Sequence, residues 1–312
     1  MSALLFPGQG SQIVGMGLEF YNNFKIVKNI FHQADEKLKF KLSNIILEGP
    51  EDQLVLTKNT QPAILTVSYS IFQVLKEEFN FDLQSFKYFA GHSLGEYSAL
   101  VCSEALNFSD AVYLVYERGN AMQEAVPVGH GSMLAVLGSN IDEINQLINS
   151  MGNNFVCEVA NDNATGQVIV SGKRDNLVSL QSKFKEKKIK SIPLKVSAPF
   201  HCSLMKPAAE KMSKKINQIS FNKPTFEIIN NVTAKSEFDP IKIKELLINQ
   251  IYSTVRWRES IINMSEKGVI NYVEIGPGKV LSGMVKRTIK NANCFSINSI
   301  ADIKNLDDKF KK

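Results

Sequence analysis

Gly91-His92-Ser93-Leu94-Gly95 is the stretch of this chain whose residue types and spacing best suit chemistry. It follows a short apolar segment, Tyr88-Phe89-Ala90, and runs into Glu96 to Cys102, which reads as a helix. A Gly-x-Ser-x-Gly between a strand and a helix is a nucleophile elbow, a tight turn that holds a serine hydroxyl above the edge of a sheet. Ser93 is therefore the candidate nucleophile, and plain packing of a Gly-rich turn is the competing reading. A serine hydroxyl needs a base. The chain has histidines at 32, 92, 130 and 201. His92 sits inside the elbow, and His32 and His130 fall in a surface helix and a Gly-rich linker, which leaves His201 as general base by elimination. It lies in Ser197 to Met205, an irregular segment leading into a helix near Pro207, the kind of junction that carries catalytic residues.

Two further features fit an acyl-transfer serine. Pro7-Gly8-Gln9-Gly10-Ser11-Gln12 breaks the first strand, Ala3 to Phe6, and the glycines around Gln9 free the backbone to expose amide N–H groups. An oxyanion hole requires such donors, already aimed at the place where negative charge develops. A phosphate-binding turn is the weaker alternative, because no Gly-Lys-Ser/Thr and no Gly-x-Gly-x-x-Gly follows. Arg118 is out of place in a helix that Ser109-Asp110 caps and that runs to about Ala125: its neighbours Leu114, Val115, Ala121 and Met122 are all apolar. A buried guanidinium must be paired with an anion. That anion is either a distant Asp or Glu or a substrate carboxylate held by two parallel hydrogen bonds.

The elements that must position these groups alternate between strand and helix. Thr60-Gln61-Pro62 starts a helix that continues to Phe79 beside the elbow. From Gly131 to Val196 the order becomes β-α-β-β-α-β, with strands at Met133 to Leu137, Phe155 to Ala160, Gln167 to Ser171 and Ile189 to Val196. The link Asn161-Asp162-Asn163-Ala164-Thr165-Gly166 reads as a polar turn that overhangs a cleft or as a plain hairpin loop. A strand at Phe226 to Asn230, two helices, a strand at Tyr272 to Ile275 and a final helix after Gly276-Pro277-Gly278 complete the chain. The expected class is α/β: a large α/β-hydrolase-like domain with a mostly parallel sheet (1–127 and 199–312), interrupted by a small ferredoxin-like α+β subdomain (128–198).

With 312 residues, 44% hydrophobic and 21% charged, the chain can bury a large core. The four cysteines, at 102, 157, 202 and 294, include no Cys-x-x-Cys pair, which argues against zinc and against a disulfide framework. The start lacks a basic region like that of a signal peptide, and no apolar run is long enough to span a bilayer. A cytoplasmic location is expected. The net charge of +5 gathers in Lys183 to Lys190 and in the tail Lys309 to Lys312, both read as solvated. No basic-aromatic patch favours nucleic acid.

Taken together, the chain resembles the malonyl-CoA:acyl carrier protein transacylases of bacterial fatty acid synthesis. The likeness rests on Phe6 to Gln12, Gly91 to Leu100, Arg118-Gly119 with Met122-Gln123, the Asn161/Asn163/Gln167 turn, Phe200-His201-Cys202 with Met205-Lys206-Pro207, and Glu274 to Lys279. The resemblance implies that Ser93 is acylated, that His201 is its base, and that the amides of Gln9 and Leu94 form the oxyanion hole. It implies that Arg118 binds the malonyl carboxylate, with Met122, Asn161, Asn163 and Phe200 at the substrate, Phe200 in the malonyl-selective form. A main-chain carbonyl, that of Gln250, would orient His201, so no triad aspartate is needed. One departure is Thr165, where many members have proline. The expected partners are malonyl-CoA and acyl carrier protein, with Lys279, Lys286 and Arg287 able to meet an acidic carrier helix. No cofactor, metal, nucleic acid or membrane is expected, and the chain is expected to be a monomer. A serine hydrolase or thioesterase, and a carrier-docking subunit without chemistry, are the alternatives.

Overall fold

The computed structural model describes residues 1–196 and 198–310. Ser197 and residues 311–312 lie outside them, as do the side chains of residues 307–310, so the reading of the Lys309 to Lys312 tail as solvated falls outside the described residues. Among the described residues, ten strands form two sheets: β1 (Ser2–Phe6), β2 (Phe86–Gly91), β3 (Gly131–Leu137), β4 (Cys157–Ala164), β5 (Gln167–Lys173), β6 (Lys190–Pro193), β7 (Glu227–Ile229), β8 (Ser236–Glu237), β9 (Asn271–Ile275) and β10 (Asn293–Ile297). The larger sheet has the order β10-β9-β1-β2-β7-β8 and is parallel except for the edge strand β8. Every residue of β1 is buried, as a parallel strand covered on both faces requires. Leu4 and Phe6 face a core with the helices Thr57–Glu77, Gly95–Cys102 and Phe108–Glu124, and Ala3 and Leu5 face a second core with Trp257, Ile261 and Leu281.

The smaller sheet has the order β4-β5-β3-β6, all antiparallel. Leu134, Val136, Val168 and Val170 pack on Ile144, Leu147, Leu180 and Phe184 from its two helices. Met133 beside them on β3 and Ile169 between them on β5 point the other way, into a cleft shared with the larger sheet. The fold is therefore mixed α/β, with a mostly parallel sheet and a second, antiparallel one.

Several elements depart from the sequence expectations. Asn161 and Asn163 stand in β4, and the turn is only Thr165-Gly166. The β4 register slips between Val159 and Asn161 and again between Asp162 and Ala164, so the strand bulges and carries its polar residues along. Contacts remote in sequence hold it: the Asp162 amide donates to Val255 O at 3.0 Å, the Val255 amide donates to Ala160 O at 2.9 Å, and Arg258 Nε reaches both Asp162 oxygens at 3.0 Å. The helix expected from Thr60 begins at Thr57, because Thr60 Oγ1 donates to Leu54 O and Asn59 Nδ2 to Gln53 O, fastening a turn upstream of Pro62. Asn107, not Ser109-Asp110, caps the helix Phe108–Glu124 by accepting from the Ser109 amide. The helix Val280–Thr288 is not the last: β10 and Ile300–Phe310 follow, adding a parallel edge strand beside β9.

Gly119 sets the approach of two helices. A Cβ there would lie 2.6 Å from Lys58 Cα and 2.8 Å from Thr57 O. Gly119→Ala is expected to push the helices Thr57–Glu77 and Phe108–Glu124 apart, at a cost of about 1 to 3 kcal/mol. A lowered melting temperature is the expected result, read by thermal denaturation. An unchanged melting temperature would show that the crossing is not tight there.

Candidate active site

β1 and β2 lie side by side with Phe6 paired to Gly91, so the loops that leave them emerge together at the carboxyl edge of the parallel sheet, where open α/β sheets place ligands. The elbow turns at once: the His92 amide donates to Phe6 O, and a Cβ on Gly95 would lie 2.1 Å from that same oxygen. Glycine is required at 95 because the elbow helix rides directly on the β1 backbone. Ser93 is left at φ 53°, the left-handed backbone of a nucleophile elbow, with its amide donating to Asn231 Oδ1 at 2.7 Å. Asn231 follows β7 and ties down the turn with a second bond, from Nδ2 to Gly91 O.

The Ser93 hydroxyl is 2.8 Å from His201 Nε2, and His201 Nδ1 is 2.8 Å from the Gln250 carbonyl oxygen. A carbonyl can only accept, so Nδ1 carries the proton and Nε2 is the free base. His201 is buried at φ 58° between Phe200 and Cys202. Burial first, then the Arg118 charge, push its pKa down to about 3, while the Gln250 carbonyl pulls it upward. A depressed pKa keeps the base neutral in mildly acid solution. We therefore expect kcat/KM for an uncharged acyl group to stay level from about pH 7.5 to about pH 5, where an imidazole of ordinary pKa would retain only about a thirtieth of its basic form. A pH–rate profile checks this, and a limb near pH 6.5, the ordinary histidine value, would contradict the neutral, buried base.

Arg118 is 1% exposed. Its Nη1 donates to Gln61 Oε1 at 2.7 Å, and its Nη2 donates to Gln250 Oε1 at 2.9 Å and to Ser93 Oγ at 3.1 Å. Its Nε has no partner among the described residues. The guanidinium also lies over the Tyr97 ring, 5.8 Å from its centre. Among the described residues it makes no ion pair, so the distant Asp or Glu considered from the sequence is not its direct partner. Gln9, Leu94, Met122, Asn161, Asn163 and Phe200 all line the same cleft, whose volume is about 210 Å³. The amides of Gln9 and Leu94 have no acceptor among the described residues. Asn163 Oδ1 is 2.8 Å from His92 Nε2, which uses His92 to support the turn.

Three groups of the network were not singled out from the sequence. Gln61, Glu96 and Asn231 are each at most 2% exposed. The signal for Glu96 is the one that marked Arg118, a charged residue among mostly apolar helix neighbours, whereas Gln61 follows the polar turn Thr57-Lys58-Asn59-Thr60 and carries no such signal. Asn231 carries only the weaker signal of following a strand. Cys202 is buried, and burial pushes its pKa up to about 11. Among the described residues, no group of three or more His, Cys, Asp or Glu side chains could hold a metal ion, and no helix is long and apolar enough to cross a membrane.

A half-buried serine on a buried histidine at the carboxyl edge of a parallel sheet, with an arginine on the nucleophile, defines an acyltransferase site. Residues 3–311 match the family model described as an acyl transferase domain. A malonyl CoA-acyl carrier protein transacylase of Bacillus subtilis is 44% identical over 95% of this chain and 93% of its own length. The crystal structure of an acyl-carrier-protein-S-malonyltransferase from Bartonella henselae superposes with a TM-score of 0.96 at 38% identity, covering 100% of this chain and 99% of that one. A malonyl-transacylase in complex with its type II PKS acyl-carrier protein superposes with a TM-score of 0.94 at 37% identity, covering 97% and 98%. The chain belongs to the malonyl CoA-acyl carrier protein transacylase family.

Proposed function

We propose that this chain moves a malonyl group from malonyl-CoA to the phosphopantetheine thiol of an acyl carrier protein through a Ser93 acyl-enzyme. The observation that carries the reading is the Ser93 hydroxyl held between His201 Nε2 and Arg118 Nη2, a base and a cation on one oxygen. His201 takes the Ser93 proton as Oγ attacks the thioester carbon, and the Gln250 carbonyl steadies the imidazolium that forms. The amides of Gln9 and Leu94 hold the oxyanion. His201 returns the proton to the departing coenzyme A sulfur. The carrier thiol then enters by the reverse of these steps, giving ping-pong kinetics.

Arg118 binds the malonyl carboxylate through two hydrogen bonds, against Met122 and Phe200, with Asn161 and Asn163 on the opposite wall. That fixed pose also keeps water from the ester. The thioester enters as substrate and the reaction needs no cofactor or metal. A monomeric cytoplasmic protein fits this reading, as do its free cysteines. The carrier docks on the basic rim formed by Lys279, Lys286 and Arg287. Residues 128–198 form the inserted small subdomain, and its strand order β4-β5-β3-β6 supports the ferredoxin-like class. Residues 1–127 and 199–312 form the α/β-hydrolase-like domain, whose elbow supports that likeness.

The acceptor tests the reading. Incubation with malonyl-CoA and carrier protein is expected to give malonyl-carrier and free coenzyme A. Rapid release of malonate without malonyl-carrier would make the chain a thioesterase on the same catalytic pair.

A further inference from the structure

Glu96 opens the elbow helix, yet it is 2% exposed. Its Oε2 accepts from the Asn231 amide at 3.0 Å and from Gln250 Nε2 at 2.8 Å. The same Gln250 amide turns its oxygen to Arg118 Nη2 at 2.9 Å. One side-chain amide thus joins a buried carboxylate to a buried guanidinium that it does not touch. An amide has opposite polarity at its two ends. Because Glu96 takes the NH2 end, the oxygen end is the one left for Arg118.

We infer that Glu96 is the resident counter-charge of Arg118 and a positioning residue for acyl selection, and that a malonyl carboxylate arriving on Arg118 displaces that charge by driving a proton onto Glu96. The inference rests on the malonyl reading above. Burial pushes the Glu96 carboxyl up to about 7, with the bonds from Asn231 and Gln250 and the Arg118 charge pulling it back. The group therefore stands near its balance point at neutral pH. Its Oε1 carries no hydrogen bond among the described residues, so a proton there breaks no contact. A second anion on Arg118 repels the Glu96 anion across a buried site and favours its neutral form. Acetyl brings no anion and leaves Glu96 as it was. Among the described residues, Arg118 on the helix Phe108–Glu124 and Tyr97 on the elbow helix are the titratable groups facing Glu96. The segments after β7 and at the end of the helix Pro240–Gln250 face it with amides, and the charges on the strands beneath, Lys87 of β2 and Glu227 of β7, pair with each other at 3.6 Å and do not act on it. The acyl exchange itself is neutral in protons, since the Ser93 hydroxyl hydrogen leaves on the coenzyme A thiol.

The Michaelis constant for malonyl-CoA tests the inference. One proton taken up on binding is expected to raise it about tenfold between about pH 6 and about pH 8, while that for acetyl-CoA, which carries the same phosphates, stays level. Glu96→Gln keeps an oxygen for both accepted bonds and removes the charge, so its malonyl-CoA constant is expected to be level too, near the low-pH value of the unaltered chain. A level constant in the unaltered chain, or the same slope in Glu96→Gln, overturns the inference while a malonyl adduct on Ser93 still forms. Absence of that adduct at every pH overturns the malonyl reading itself. If Glu96→Gln does not fold, the contrast between the two thioesters in the unaltered chain decides alone.

Discussion

Ser93→Ala is expected to lower malonyl transfer about 10⁴-fold or more and to abolish the covalent adduct, while leaving the fold in place. The size of the effect follows from how much converges on one oxygen. His201 Nε2 and Arg118 Nη2 both meet Ser93 Oγ, and the elbow backbone is fixed independently by the Ser93 amide on Asn231 and by Gln250 Nε2 on Ser93 O at 3.0 Å. Alanine removes the oxygen and none of those backbone anchors. What survives is a binding cleft with its amides and arginine but no group to carry the acyl chain, and residual catalysis over water is all such a site supports. Mass spectrometry after mixing with malonyl-CoA, beside a transfer assay and a melting curve, checks all three parts. An adduct that persists in Ser93→Ala would place the acyl group on another residue.

Ser93, His201 and Arg118 were legible because each breaks a local rule that one stretch of sequence displays by itself. A serine between paired glycines, a histidine at a loop-to-helix junction and an arginine on an apolar helix face announce themselves without knowledge of the fold. The parallel sheet was legible from its short apolar strands alternating with helices. The residues that tune the site were not, because their partners are far away in the chain. Asn231 reaches back to the elbow across 138 residues of chain, and Gln61 meets Arg118 only because Gly119 lets two helices close on each other. Asn161 and Asn163 were misread for the same reason. Asn-Asp-Asn favours a turn locally, and it became a bulged strand because Val255 and Arg258 satisfy it from outside. β10 and the last helix were missed because Asn293 to Ile297 is short and mostly half-buried, with little of the apolar signal that marked β1.

Arg118→Ala is expected to cost malonyl transfer about 2 to 5 kcal/mol, roughly 30- to several-thousand-fold, while acetyl transfer rises relative to malonyl. The direction depends on what the guanidinium does when no substrate is present. Gln61 and Gln250 contact it with amide oxygens, which orient the cation without neutralising it; Glu96 acts on it only through the Gln250 amide, and burial works against the charge. A carboxylated acyl group offers an anion in direct contact, so its binding recovers the cost of holding a cation inside the protein. Acetyl offers nothing in return, and for acetyl the arginine is mainly an obstacle beside Ser93. Arg118→Lys should fall between the two, because an ammonium keeps the charge but cannot span Gln61, Gln250 and a carboxylate in one plane. The measurement is the ratio of kcat/KM for malonyl-CoA to that for acetyl-CoA in each variant. Equal losses for both thioesters would make Arg118 a structural residue that merely holds Gln61 and Gln250 in place. A ratio that collapses in Arg118→Ala and recovers in part in Arg118→Lys would fix the arginine as the group that selects the acyl chain.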